Sequence, residues 1–193
     1  MNGRKGRMND AEKELVAMVL SGRSEAFEPL VAPHRQALFG LAYRLTWNAE
    51  EAREVAQEAL FRAFRHLRRY DPERSFRNWL FQIAANEARD RGRKKVRERQ
   101  VVEKLAEEPE KRANPEDERD AAEVRAGILK CLDVLGRRER EVFVLRDLQD
   151  LNIKETARAL GCSSLSVRVS LSRAREKVRN ALRSRMPHLE ESR

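Results

Sequence analysis

The chain has 193 residues, of which 38% are charged, and a formal net charge of +9. That length suits one large or two small domains, and the charge favours a polyanionic partner such as nucleic acid or an acidic membrane surface. No apolar run approaches the roughly 20 residues that span a bilayer. The sequence shows no metal-ligand spacing, Gly-rich phosphate loop or nucleophile motif, so no enzyme, cofactor or metal site is expected.

Apolar patterns of period 3.6 dominate and strand alternation is nearly absent, which predicts an all-α fold. Residues 1–9 belong to a basic start, MNGRKGRMNDAEKE, that lacks the apolar stretch of a secretory signal and is expected to be flexible. Asp10 can cap a first helix with Ala11, Leu15, Met18 and Val19 inward. Ser24 opens a segment whose apolar positions are Phe27, Leu30, Val31, Leu38, Leu41 and Leu45. Proline in a helix interior costs about 3 kcal/mol, so a kink or restart is expected at Pro33.

Asn48 with Glu51 resembles a capping box and starts a third helix. Its inward face holds Ala52, Val55, Ala56, Ala59, Leu60, Ala63 and Leu67. Its acidic face, Glu51, Glu54, Gln57 and Glu58, would repel DNA. It suits a protein-docking surface, or else a solvated face with carboxylates near the helix N-terminus. Arg68–Ser75 is a loop marked by Asp71-Pro72. Ser75 caps a fourth helix with Phe76, Trp79, Leu80, Ile83 and Ala84 inward. A second stripe on this helix, Gln82, Asn86, Arg89 and Arg93, offers amide and guanidinium groups to base edges and phosphates. Tyr70 and Phe76 flank the loop, where a ring can stack on an unpaired base; Phe76 and Trp79 equally suit a core. The basic cluster Arg89–Lys95 closes this block at about residue 97.

Residues 98–120 are acid-rich, poor in large apolar side chains and contain Pro109 and Pro115, and they read as a flexible linker. Apolar periodicity resumes at Val124, Ile128, Leu132 and Leu135, then at Val142, Phe143, Leu145 and Leu148. Asn152 with Glu155 opens another helix, Gly161 fits the position just past its end, and Ser163 caps the last one. In that last helix Val167, Leu171, Ala174 and Val178 form an inward stripe, and Arg168, Ser172, Arg175 and Arg179 repeat on another face. This is the layout of a helix-turn-helix that offers cations to phosphates and base edges. Cys131 and Cys162, far apart in helical patterns, read as small core residues in a reducing cytosol. His34, His66 and His188 form no ligand set.

Two stretches carry a family resemblance. EVAQEALFRAFRHLRRYD, residues 54–71, followed by SFRNWLFQIAANEARDRGR, resembles region 2 of bacterial sigma-70 family factors. LGRREREVFVLRDLQDLNIKETARALGCSSLSVRVSLSRAREKVR resembles region 4. With these two regions and an acidic linker, the chain is similar to the extracytoplasmic-function (ECF) subfamily. The resemblance implies region 2 over 10–97, a linker over 98–120, region 4 over 121–186 and a tail over 187–193. It implies a sigma factor that directs core RNA polymerase to promoter DNA, works in the cytoplasm without entering a membrane, is monomeric when free and is held by an anti-sigma factor. It places Glu54, Gln57 and Glu58 on the clamp helices of the β′ subunit, and region 4 against the β flap. Phe76, Ile83 and Asn86 fall where the family captures an extruded −10 base, with Tyr70, Arg89 and Arg93 beside them. Arg168, Val169, Ser172 and Arg173 fall where it reads the −35 element, with Arg175 on the same helix. The chain departs from the usual pattern at Ala56, at Gly136 where proline is usual, at Leu165-Ser166 in place of Gly-Thr, and at Val169-Ser170 in place of Ser-Arg. The alternative reading is a stand-alone helix-turn-helix regulator that binds duplex DNA without polymerase.

Overall fold

Every regular element among the described residues is helical. The computed structural model describes residues 10–102 and 131–185. The expected flexible N-terminus, linker residues 103–120, Val124, Ile128 and the tail lie outside them. The chain divides into two compact units, 1–112 and 113–193.

The N-terminal unit contains α1 (Asp10–Leu20), α2 (Phe27–Val31), α3 (Arg35–Thr46), α4 (Ala49–Arg65) and α5 (Phe76–Val102). The disturbance expected at Pro33 takes the form of a 3-10 turn, Ala32–His34, between α2 and α3. The missing proline N–H and the ring's clash with the preceding turn are accommodated there without breaking a long helix. α3 ends on Trp47 in the left-handed region (φ 57°). Asn48 then accepts the Glu51 N–H on its side-chain oxygen at 3.0 Å. Only half of the expected capping box forms, because the Glu51 carboxylate is taken by Lys95 of α5.

α3, α4 and α5 pack on one another. The inward face of α4 is mostly alanine, so the backbones can approach closely. Ala52, Val55, Ala59 and Ala63 are buried, as are Leu38 and Leu41 of α3 and Leu80, Phe81 and Ala84 of α5. Each fully buried leucine or phenylalanine contributes about 1.5–3 kcal/mol of burial free energy. On α1 the buried residue is Val16, whereas Ala11 of the expected stripe is exposed.

α5 does not stop at the basic cluster. It runs through Gly92, which costs about 1 kcal/mol against alanine, and on to Val102. Two links back to α4 favour the continuation: Arg91 donates to Glu54, and Lys95 to Glu51.

The C-terminal unit contains α6 (Arg137–Phe143), which passes into a π-helical turn at Val144–Leu148, then α7 (Ile153–Ala159) and α8 (Ser164–Arg185). Gly136 donates its N–H to Glu139 Oε2 at 3.0 Å. A proline there would have no hydrogen to give. The Asn152–Glu155 capping box is complete, with bonds of 2.9 and 2.7 Å. α7 ends in a Schellman motif. Cys162 N–H bonds Ala157 O at 3.0 Å and Gly161 N–H bonds Arg158 O at 3.2 Å, with Gly161 at φ 56°. Ser163 Oγ then accepts the Ser166 N–H at 3.1 Å and fixes the start of α8. Leu132, Leu135, Val142, Leu145, Leu151, Leu160, Val167, Leu171 and Ala174 form the core.

Candidate nucleic-acid interface and docking face

Tyr70 and Phe76 lie inside the N-terminal unit, 7% and 0% exposed. Their expected role as a stacking wall for an extruded base is therefore corrected. The Phe76 ring is enclosed by His34 (5.9 Å between centroids), Tyr70 (5.6 Å) and Trp79 (5.8 Å), which leaves no face for a base. Tyr70 turns its hydroxyl inward to donate to the Arg74 carbonyl, and burial pushes its pKa up. The pair acts on the loop from beneath. Asp71 accepts the Glu73 N–H at 3.0 Å and pairs with Arg74 at 3.1 Å, and Ser75 Oγ accepts the Asn78 N–H at 3.2 Å. The aromatic cluster is thus the floor on which a bonded, exposed loop is set.

Along α5, Ile83, Asn86 and Arg89 are half-buried and Arg93 is exposed. Arg89 donates to the side-chain oxygen of Asn86 at 3.2 Å. These four follow one another along one side of the helix that leaves the loop, as the 3.6-residue period requires.

The acidic face of α4 is present, but most of its charge is engaged. Glu58 accepts from Arg62 at 2.7 Å, and Glu54 from Arg91. Both arginines converge on Glu87, a carboxylate that is 7% exposed: Arg62 at 2.9 Å and Arg91 at 2.7 Å. Gln57 is exposed. Nothing in the sequence pattern singled out Glu87. Its signal was the spacing of Glu87 to Arg91 at i, i+4, which is common on solvated helices. The consequence is that a partner reaching Glu54 or Glu58 must compete with internal arginines.

In the C-terminal unit Arg168, Val169, Ser172 and Arg173 all lie exposed on α8. Arg175 differs. Its guanidinium bonds both oxygens of Asp147 in the π-helical turn, each at 2.7 Å. That hydrogen bond also holds its pKa above the usual arginine value. Without DNA, Arg175 thus ties α8 to the preceding turn, and a −35 contact from it would have to displace Asp147. Lys177 makes a second tie, donating to Glu139 at 2.7 Å. This bond is the main reason the Glu139 carboxyl sits below its ordinary range. The stabilisation is present above the ordinary carboxylate range and is lost as pH falls through the lowered value.

Asp147→Asn should remove a negative charge beside α8 and release a guanidinium. We expect non-specific DNA affinity to rise and the slope of log K against log salt to steepen by about 0.9. Fluorescence anisotropy on random duplex across a salt series checks this. An unchanged slope would mean that Arg175 cannot reach phosphate even when released.

Among the described residues no group of His, Cys, Asp and Glu is arranged to hold a metal, and no helix is long and apolar enough to cross a membrane.

Residues 30–98 match the family model for Sigma-70 region 2, and residues 125–178 match that for Sigma-70, region 4. The chain is 30% identical over 188 residues to the RNA polymerase sigma-H factor of Pseudomonas aeruginosa, covering 90% of this chain and 94% of that protein. It is 30% identical over 180 residues to the ECF RNA polymerase sigma factor SigW of Bacillus subtilis, covering 89% and 96%. CnrH of Cupriavidus metallidurans is 33% identical over 182 residues, covering 88% and 93%. A solved structure of CnrH with the cytosolic domain of CnrY aligns with a TM-score of 0.63 at 29% identity, covering 91% of this chain and 99% of that one. The sigma factor RpoE of Bartonella quintana, solved with the anti-sigma factor NepR, aligns at a TM-score of 0.65 and 23% identity, covering 81% and 96%, and supports the fold alone.

Proposed function

We propose, because this chain belongs to the sigma-70 family of bacterial RNA polymerase sigma factors and to its extracytoplasmic-function group, that it directs core polymerase to specific promoters and does no chemistry of its own. The observation that carries the reading is the presence, in one chain and in family order, of both sigma regions, with a basic helix-turn-helix in the second. The N-terminal unit docks on core through Glu54, Gln57 and Glu58. It meets the −10 strand with its 71–75 loop and with Ile83, Asn86, Arg89 and Arg93. The C-terminal unit reads the −35 duplex with Arg168, Val169, Ser172 and Arg173. Region 2 ends within α5, and the acidic stretch after it is the linker to region 4. The protein works in the cytoplasm. The solved complex of CnrH with the cytosolic domain of CnrY supports a protein partner that holds this chain in the same way, the role expected of an anti-sigma factor.

The test is core binding. Glu58→Arg puts a cation beside Arg62 and reverses the docking charge. We expect binding to core polymerase to weaken by at least about tenfold, roughly 1.4 kcal/mol. Loss of the half-exposed Glu58–Arg62 pair should cost folding only about 0–1 kcal/mol. Co-elution with core and a thermal melt separate the two effects. Wild-type core affinity in the variant would remove Glu58 from the interface. A wild-type chain that never binds core, yet binds a promoter duplex alone, would establish the stand-alone regulator instead.

A further inference from the structure

We propose that Leu165 and Val169 form an apolar edge at the start of α8 that reads thymine 5-methyl groups in the −35 duplex. The inference rests on the reading of α8 as the −35 helix. Val167, Leu171 and Ala174 are buried and define the inward side of α8. Successive helix residues are about 100° apart. The line opposite the buried side therefore runs through Leu165, Val169 and Ser172, with Arg168 on one flank and Arg173 on the other. Leu165 is 67% exposed and Val169 44%.

A lone exposed leucine is ordinary on a protein surface. This pair is placed differently. It occupies the first turns of α8, the end of a recognition helix that meets base edges. The Ser163 cap fixes where those turns begin. Two arginines flank the pair, so a duplex drawn in by those cations would press the apolar edge against the floor of the major groove. Most of what the bases display there is hydrogen-bond donors and acceptors, which an aliphatic side chain would leave unpaired. Thymine is the exception, because it displays a methyl group. The Cβ atoms of residues four apart on a helix are about 5–6 Å apart. A base step along one strand is about 3.4 Å. The two contacts thus fit thymine methyls one to two steps apart, with guanines at the edge for the arginine forks.

The experiment uses the full chain bound to core polymerase. The preferred −35 sequence is first selected from a randomised duplex. Each thymine is then replaced by deoxyuridine, which removes only the 5-methyl group. We expect two nearby positions at which the replacement weakens binding about three- to fivefold, the size of one buried aliphatic carbon. Leu165→Ala should abolish the sensitivity at one of them and Val169→Ala at the other. Neither variant should lose core binding, since the residues assigned to docking, Glu54, Gln57 and Glu58, lie in the other unit. If wild type is indifferent to every deoxyuridine, or the variants keep full methyl sensitivity, the proposal is overturned. Arg168→Ala separates that outcome from failure of the underlying reading. If it too leaves affinity for both matched and scrambled −35 duplex unchanged, α8 does not meet the −35 element and the underlying reading fails with it.

Discussion

Phe76→Ala is expected to destabilise the N-terminal unit by about 3–5 kcal/mol, the cost of emptying a fully buried aromatic site. Phe76 has no exposed surface and contacts three other rings. Rings packed at these distances contribute beyond simple burial. His34 belongs to the turn before α3, Tyr70 to the loop and Trp79 to α5, so the cavity would loosen three segments at once. For a unit of this size the melting temperature should fall by more than about 10 °C. Phe76→Leu, which keeps most of the volume, should recover most of that loss. Calorimetry on the full chain would measure both. A contact made only to an extruded base predicts something else: a normal melt, with a defect confined to open-complex formation. A near-normal melting temperature for Phe76→Ala would therefore refute the core placement. Because the cluster also supports the 71–75 loop, the alanine variant should lose promoter opening as well. That loss is secondary to folding, and the leucine variant should restore it.

The contrast at Phe76 shows where sequence reading stops. Local chemistry was visible. The Asn152–Glu155 box, the glycine at 161 and the serine caps at 75 and 163 act within four residues of themselves, and each forms. The inward stripes of α4 and α8 were visible because burial follows the 3.6-residue period. What periodicity cannot show is which polar groups are used up internally. Arg91 and Glu54 are 37 positions apart, Lys95 and Glu51 are 44, and Arg175 and Asp147 are 28. Each pair exists only because tertiary packing brings two elements together. Those pairs tie α5 back to α4, engage charge on the docking face and hold Arg175 on Asp147 in the DNA-free chain. Burial of the loop-flanking aromatics has the same origin, since His34 reaches Phe76 from a segment 42 positions earlier. The −10 and −35 assignments follow from the family pattern, and the structure adds which of those side chains are already engaged within the fold: Tyr70 and Phe76 in the core and Arg175 on Asp147.

Arg168 and Arg175 make that engagement measurable. They lie two turns apart on the same basic stripe, and the sequence treats them alike. In the folded unit Arg168 is exposed on the N-terminal part of α8, whereas Arg175 bonds both oxygens of Asp147. A guanidinium that forks onto guanine O6 and N7 contributes about 1–3 kcal/mol of discrimination against other bases. Arg168→Ala should therefore weaken binding of the holoenzyme to its matched −35 element by that amount and change affinity for random duplex far less. Arg175→Ala removes a half-exposed ion pair within the unit. It should cost about 0–1 kcal/mol of stability and leave −35 selectivity in place. Equilibrium titrations of both variants at one fixed salt concentration, on matched and scrambled −35 duplexes, would decide it. Equal losses for Arg168→Ala on matched and scrambled DNA would mark it as a phosphate contact that positions without specifying. A selective loss for Arg175→Ala as large as that for Arg168→Ala would mean that the Asp147 tie opens when DNA arrives and that Arg175 reads bases after all.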